Sequence, residues 1–188
     1  MKTGLLEYRL MKRGEEAEVC DLVIRVFDEF VAPQFSREGV QEFYNYADPH
    51  LFIRRSQWNH FVLIAAAQKE IDGMIEVRDD GHITLFFVDK RFQGKGTGKE
   101  LLYRALGICQ RSKPELSKAT VNSSPNAVGI YERLGFRLAG SEQAENRIRF
   151  VPMVLDLFRH QPQLTATGKV KQKMEPSTFS DSIHTRLL

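Results

Sequence analysis

The chain has 188 residues, a length that suits one domain of the usual size of roughly 100–200 residues. Hydrophobic residues make up 42%, with 13 Phe, and charged residues 27%, which marks a globular chain with a sizeable core and a well-supplied polar surface. A formal net charge of +3 is too small for a protein that works chiefly by gripping nucleic acid, and no apolar run approaches the roughly 20 residues that cross a bilayer.

Residues 1–16 hold neither an extended apolar stretch nor a small-residue cleavage site, so no secretory leader is expected. A weak strand pattern runs from Leu5 to Met11. After Gly14, Val19, Cys20, Val23, Ile24, Phe27 and Phe30 recur at helical spacing, and Pro33 ends the helix. Ser36 is an N-cap for a second, shorter helix carrying Val40, Phe43 and Tyr44. The apolar run His60–Ala67 reads as a strand buried on both faces. Asp72-Gly73 reads as a turn into a strand Met74–Arg78, and Asp79-Asp80-Gly81 as a turn into Ile83–Val88, giving an antiparallel meander. A helix follows in which Leu101, Leu102, Ala105, Leu106 and Cys109 share a face, stopped by Pro114. A short strand Ala119–Asn122 leads to a helix begun by Ser124-Pro125 and closed at Gly135. Phe136–Ala139 and Ile148–Leu157 are the closing strands. Past His160 the sequence is polar and without period, so 1–160 is expected to form the domain and 161–188 a flexible tail. Cys20 and Cys109 fall in helix-like apolar patterns and read as reduced core thiols of a cytoplasmic protein, with no metal spacing.

Between the strand ending at Val88 and the helix lies a glycine-rich turn, Gln93-Gly94-Lys95-Gly96-Thr97-Gly98-Lys99. Glycines let the backbone approach an anion, and free N–H groups at a helix start favour phosphate. Lys90, Arg91, Lys95 and Lys99 bracket the turn. A nucleotide P-loop fails here, because Gly98-Lys99 is followed by Glu100 and Gln93 stands where the first glycine belongs. The dinucleotide fingerprint G-x-G-x-x-G fails too, ending on Lys99 or Leu101. What remains is Q-x-x-G-x-G.

That pattern, between an apolar strand and an amphipathic helix, resembles motif A of the GNAT superfamily of N-acetyltransferases. A second segment, Val121-Asn122 through Asn126-Ala127, Tyr131-Glu132 and Gly135-Phe136, resembles the family's motif B, N-A-x-x-x-Y-E-x-x-G-F. The likeness covers Leu5 to Leu157. It implies an α/β (α+β) fold with a central mixed, mostly antiparallel, twisted sheet of six or seven strands flanked by four helices. It also implies acetyl-CoA as co-substrate, with no metal.

The resemblance places pyrophosphate on the main-chain N–H groups of Gln93, Gly94, Lys95, Gly96, Thr97, Gly98 and Lys99. It runs the pantetheine arm beside Phe86, Phe87 and Val88, on a strand that bulges and splays from the next. The N–H of Phe87 or Val88 would polarise the thioester oxygen. Asn126, and Asn122 with less reason, would contact the pantetheine amides. Tyr131 takes the place of the general acid, since a phenol near pKa 10 stays protonated at neutral pH; the plainer reading is a core tyrosine filling space. An alkyl amine is only about a thousandth neutral at pH 7, so a base is needed. The family fixes no position for it. Glu76 leads the candidates, ahead of Asp28, Glu29 and His82, each of which could be only a surface charge.

The acceptor expected is a primary amine of a small molecule, an amino acid or a peptide, in a partly apolar cleft shaped around Phe30–Phe35. Two rivals stay open: a non-catalytic acyl-CoA sensor on the same fold, and an aminoacyl-tRNA acetylating toxin. The modest charge disfavours the toxin, and with it a nucleic-acid partner. The residues leave a homodimer open.

Overall fold

The computed structural model describes residues 6–158, apart from 69 and 146. The expected tail over 161–188, and the boundary at 160, lie outside the described residues. In chain order the elements are β1 (Glu7–Leu10), α1 (Glu16–Phe30), α2 (Arg37–Tyr46), α3 (Pro49–Ser56), β2 (His60–Ala67), β3 (Glu70–Arg78), β4 (His82–Val88), α4 (Thr97–Ser112), β5 (Lys118–Ser123), α5 (Val128–Arg133), β6 (Arg137–Leu138), β7 (Gln143–Glu145) and β8 (Ile148–Asp156). Short 3-10 turns sit at Ala32–Gln34, Lys90–Phe92 and Pro125–Ala127.

The strands form one mixed sheet of order β1-β2-β3-β4-β5-β8-β6, with β7 added beside β8. All pairings are antiparallel except β4 with β5. Among the described residues, eight strands and five helices make up the mixed, mostly antiparallel fold, for which about six or seven strands and about four helices were expected. The added helix is α3, which Asp48 starts: its carboxylate accepts from the N–H groups of His50 and Leu51, and Pro49 occupies the first helical position.

Both faces of the sheet are covered, as the unbroken apolar run of β2 foretells. Val62, Ile64, Ala66, Met74 and Leu85 pack against Val19, Leu22, Val23 and Val26 of α1 and Phe52 of α3. Leu63, Ala65, Ile75, Val77 and Ile83 pack on the other face against Leu101, Leu102, Ala105 and Cys109 of α4. The two cysteines are buried and unpaired. Ser36 caps α2 as expected, accepting from the N–H of Gly39 at 3.1 Å. The helix begun at Ser124-Pro125 divides into a 3-10 turn and α5, and Gly135 follows it at φ +95°, a left-handed position suited to glycine.

One turn is displaced from its expected place. Asp72 and Gly73 lie inside β3, and the reversal before them has Gln68 at φ 60°. The pairing register shifts there: Ala65 faces Gly73 and Ala66 faces Ile71, so Asp72 is an extra, bulged residue. A second bulge falls on β4, where Glu76 faces Leu85 and Val77 faces Ile83, leaving Thr84 unmatched.

Candidate active site

The second bulge marks the start of a cleft. β4 pairs with β5 only at His82–Thr120 and Ile83–Val121, so Thr84 through Val88 meet no partner on the β5 side. β5 turns instead to β8, and Asn122, exposed on β5, pairs with Pro152 there. Alternation then sorts the β4 side chains. Phe86 lies on the α4 face beside Tyr131, with ring centroids 6.3 Å apart. Phe87 lies on the α1 face against Phe43, at 5.9 Å and edge-on. Phe43 stacks on Phe27 at 3.7 Å, which makes that wall of the cleft aromatic. Val88 closes the strand beside Gly98.

The glycine turn follows. Asp89 accepts from the N–H of Arg91 at 2.9 Å and holds the 3-10 turn Lys90–Phe92. Gln93 turns back, its side-chain amide donating to the Val88 carbonyl at 2.9 Å. Gly94 and Gly96 adopt φ +71° and +89°, and Gly96 is the N-cap of α4. Among the described residues, no acceptor engages the main-chain N–H groups of residues 94–99; the first amide of the helix to be bonded is that of Glu100, to the Gly96 carbonyl at 3.0 Å. Six successive donors, several at a helix N-terminus, are therefore free to meet an anion. Thr97 is buried, while Lys95 and Lys99 rest over the rings of Phe92 and Tyr103.

The basic bracket is narrower than expected. Lys90 pairs with Glu29 of α1, and Arg91 with Asp89 and Glu70. Only Lys95 and Lys99 of the four have no acidic partner among the described residues.

Tyr131 projects from α5 into the α4-side core, 8% exposed, with Phe136 edge-on at 5.3 Å. Burial pushes its phenol well above the usual value. It therefore stays protonated throughout the neutral range. Asn126 reaches across the mouth of the cleft, its amide donating to the Phe30 carbonyl at 2.5 Å.

Glu76 is not a surface charge. It is fully buried on β3, facing the α1 layer. Arg55 of α3 donates from Nε to its Oε1 at 2.8 Å, and the Thr84 hydroxyl donates to its Oε2 at 2.8 Å. Arg55 also donates to the Tyr46 carbonyl at 3.0 Å and lies over the rings of Tyr46 and Phe52. The other base candidates are engaged elsewhere. Asp28 accepts from the Tyr44 hydroxyl at 2.7 Å, Glu29 holds Lys90, and His82 shares a 2.8 Å hydrogen bond with Thr120.

Sequence reasoning missed Arg55, Thr84 and Tyr46. Arg55 belongs to the helix that was not anticipated, and nothing in a sequence announces a bulge at Thr84.

A family model for the acetyltransferase (GNAT) domain matches residues 31–157, which carry all the residues just described from β2 to Tyr131. The chain belongs to the GNAT acetyltransferases. Solved members share the fold: a GCN5-related N-acetyltransferase from Rhodopseudomonas palustris superposes with a TM-score of 0.68 at 19% identity, covering 84% of this chain and 99% of that one. The PaiA N-acetyltransferase from Thermoplasma acidophilum, solved in complex with coenzyme A, gives 0.68 at 16% identity, covering 81% and 99%. In sequence, this GNAT chain is 27% identical over 73 residues to the peptidyl-lysine N-acetyltransferase YjaB of Escherichia coli K12. That stretch is 39% of this chain and 47% of the relative, so the likeness spans about half the relative's length. Among the described residues, no helix of this acetyltransferase is long and apolar enough to cross a membrane, and no group of three His, Cys, Asp or Glu could hold a metal ion.

Proposed function

We propose that the protein moves the acetyl group of acetyl-CoA directly onto a primary amine. The observation that carries this is the row of six unengaged amides at residues 94–99, set where the unpaired edge of β4 ends and α4 begins. Fixed amides and a helix N-terminus suit a diphosphate, and an open strand edge suits an extended amide-bearing arm. The residues fit the coenzyme: Gly94 and Gly96 have no atom within 4 Å of where a Cβ would stand, which leaves space at the turn. When bound, acetyl-CoA supplies the activated acyl group and the leaving thiol. This chain's residues do the rest.

The N–H of Phe87 or Val88 polarises the acyl oxygen. Tyr131 donates a proton toward the departing sulfur, for which a phenol held protonated by burial is suited. Glu76 receives the proton of the amine. Asn126 and Asn122 serve the pantetheine amides, Asn126 by exchanging the Phe30 carbonyl for the coenzyme. The aromatic wall of Phe27, Phe43 and Phe87 receives the alkyl part of the acceptor. A peptide lysine heads the acceptors to test, because the relative YjaB is a peptidyl-lysine acetyltransferase.

Titration calorimetry with acetyl-CoA, then release of free thiol on mixing with lysine peptides, amino acids and small amines, tests the reading. We expect saturable binding, thiol release with at least one amine, and a fall of kcat in Tyr131→Phe. Binding without turnover on any amine would mark a sensor instead. A Tyr131→Phe enzyme at full rate near pH 7 would remove the proton-donor role.

A further inference from the structure

Glu76 has no contact with solvent, so a proton it accepts needs a way in and a way out. Of its two hydrogen-bonded neighbours, Arg55 cannot take a proton, because a guanidinium is always charged and has no acceptor. Thr84 can pass one, because a hydroxyl accepts and donates at once. Thr84 is also the bulged residue, the first on β4 past its pairing with β5, so it stands at the inner end of the unpaired edge.

Two unsatisfied polar atoms belong to residues around the carboxylate. Arg55 Nη2 and His60 Nδ1 are buried with no hydrogen-bond partner among the described residues. His60 lies on the same face of the sheet as Glu76, since Val62 faces Glu76 and His60 faces Arg78 on adjacent strands. Its imidazole feels the charges of Glu76 and Arg78 from β3, Arg55 from α3 and Asp80 from the following turn, and it interacts with His82 of β4. Tyr46 of α2 and Cys20 of α1 complete the surroundings of Glu76. Buried polar atoms are almost always satisfied, and both of these belong to residues that act on the same carboxylate, a setting in which an ordered water commonly supplies the partner.

We propose that the amine's proton travels through the Thr84 hydroxyl to Glu76 and leaves at His60, across a water held between Arg55 Nη2 and His60 Nδ1. The inference rests on Glu76 being the base. As the amine nitrogen bonds to the acyl carbon, its proton passes to Thr84 Oγ1 while the proton of Thr84 passes to Glu76 Oε2. The carbon–sulfur bond breaks, and the sulfur takes a proton from Tyr131. The carboxylic acid then releases its proton through the water to His60 Nδ1. Solvent takes it from the partly exposed ring and returns one to the tyrosinate. Arg55 is a positioning residue: it fixes the carboxylate and one side of the water.

The test compares Thr84→Val, His60→Gln and Glu76→Gln in the full chain, with acetyl-CoA and a lysine peptide. Thr84→Val is expected to lower kcat by about 10²-fold at pH 7, within the range for lost general-base catalysis. The deficit should shrink towards pH 9.5, where far more of the amine is already neutral. KM for acetyl-CoA should stay near wild type, and Thr84→Ser, which restores the hydroxyl, should recover most of the loss. His60→Gln should be slowed about tenfold and be restored by imidazole in the buffer, which a merely structural histidine would not show. If Thr84→Val and His60→Gln keep wild-type kcat from pH 6 to 9 while Glu76→Gln is inactive, the route is wrong and Glu76 still the base. If folded Glu76→Gln keeps full rate, the base assignment falls and takes the route with it. Should Glu76→Gln not fold, Glu76→Asp, a shorter carboxylate, answers the same question.

Discussion

Asp72 offers a sharp test of the packing around the loop that leads to the glycine turn. It is 0% exposed, and among the described residues neither carboxylate oxygen has a hydrogen-bond partner. Desolvation pushes its carboxyl up to about 6 from an ordinary value of 3.8, with nearby Arg91 opposing. A carboxyl whose folded value lies above its unfolded one favours the folded state only while protonated. Stability is therefore lost as pH rises from about 4 through 6, and the loss is complete above that. One tenfold change in proton affinity is about 1.4 kcal/mol, so the ionised group costs about 3 kcal/mol at pH 8. Asp72→Asn removes the charge and leaves the main-chain bond from the Asp89 N–H to the Asp72 carbonyl intact. At pH 8 the variant should be more stable than wild type by up to about 3 kcal/mol, or roughly 10 °C in Tm for a domain of this size. At pH 4 the two should nearly coincide. His60 and His82, whose values burial lowers, act with the opposite sign over the same window, but they are common to both proteins and cancel in the difference. Thermal melts of both proteins from pH 4 to 8 give the answer. A Tm difference that stays constant across that range would show that Asp72 is not a desolvated, titrating acid.

Gly96→Val places a β-branched residue at φ +89°, which costs about 1–2 kcal/mol in folding although its Cβ meets open space; calorimetry should show acetyl-CoA binding weakened at least tenfold. Arg55→Ala strands the buried Glu76 carboxylate and should cost about 3–5 kcal/mol by urea melts, whereas the double change Arg55→Met with Glu76→Leu should recover much of that. Burial pushes the Cys109 and Cys20 thiols up to about 11 and about 12, so a disulfide reagent at pH 8 should label neither until denaturant is added. Asp89 and Glu15, held down to about 2 by Arg91 and Arg9, add stability at neutral pH that is lost as pH falls through that value, so melts should show acid unfolding that Asp89→Asn brings to higher pH.

The parts of the fold legible in the sequence are those that repeat. The α4 stripe from Leu101 to Cys109 and the apolar β2 run state their periods locally, and packing agrees with them. Ser36 and Gly135 mark helix ends because capping is decided within a few residues. Asp72-Gly73 misled for the same reason: a dipeptide that usually turns is carried inside β3 by pairing on both sides. α3 was hidden because its apolar face is short, Phe52 being its one buried residue, although Asp48-Pro49 is a start signal. The left-handed glycines and the helix start of the turn were readable, since backbone conformation and helix start are local. Its charges were not. Lys90 and Arg91 look like phosphate ligands until the fold brings Glu29 and Glu70 beside them. Glu76 likewise changes character only when Arg55, 21 residues earlier, folds over it.

The unmatched Thr84 ties the two halves of the site together. A side-chain period of two means that one extra residue exchanges the faces of everything beyond it. Had Thr84 taken a regular pleated place after Ile83, Leu85 and Phe87 would face α4, and Phe86 would face the α1 layer. Phe87 would then leave Phe43 and the aromatic wall, and Phe86 would leave Tyr131. The same extra residue turns a hydroxyl onto Glu76 where β4 parts from β5. A single local irregularity therefore decides which aromatic ring joins Phe43 and which lies beside Tyr131. A strand of regular pleat could supply the same open edge, but not these two relations with it.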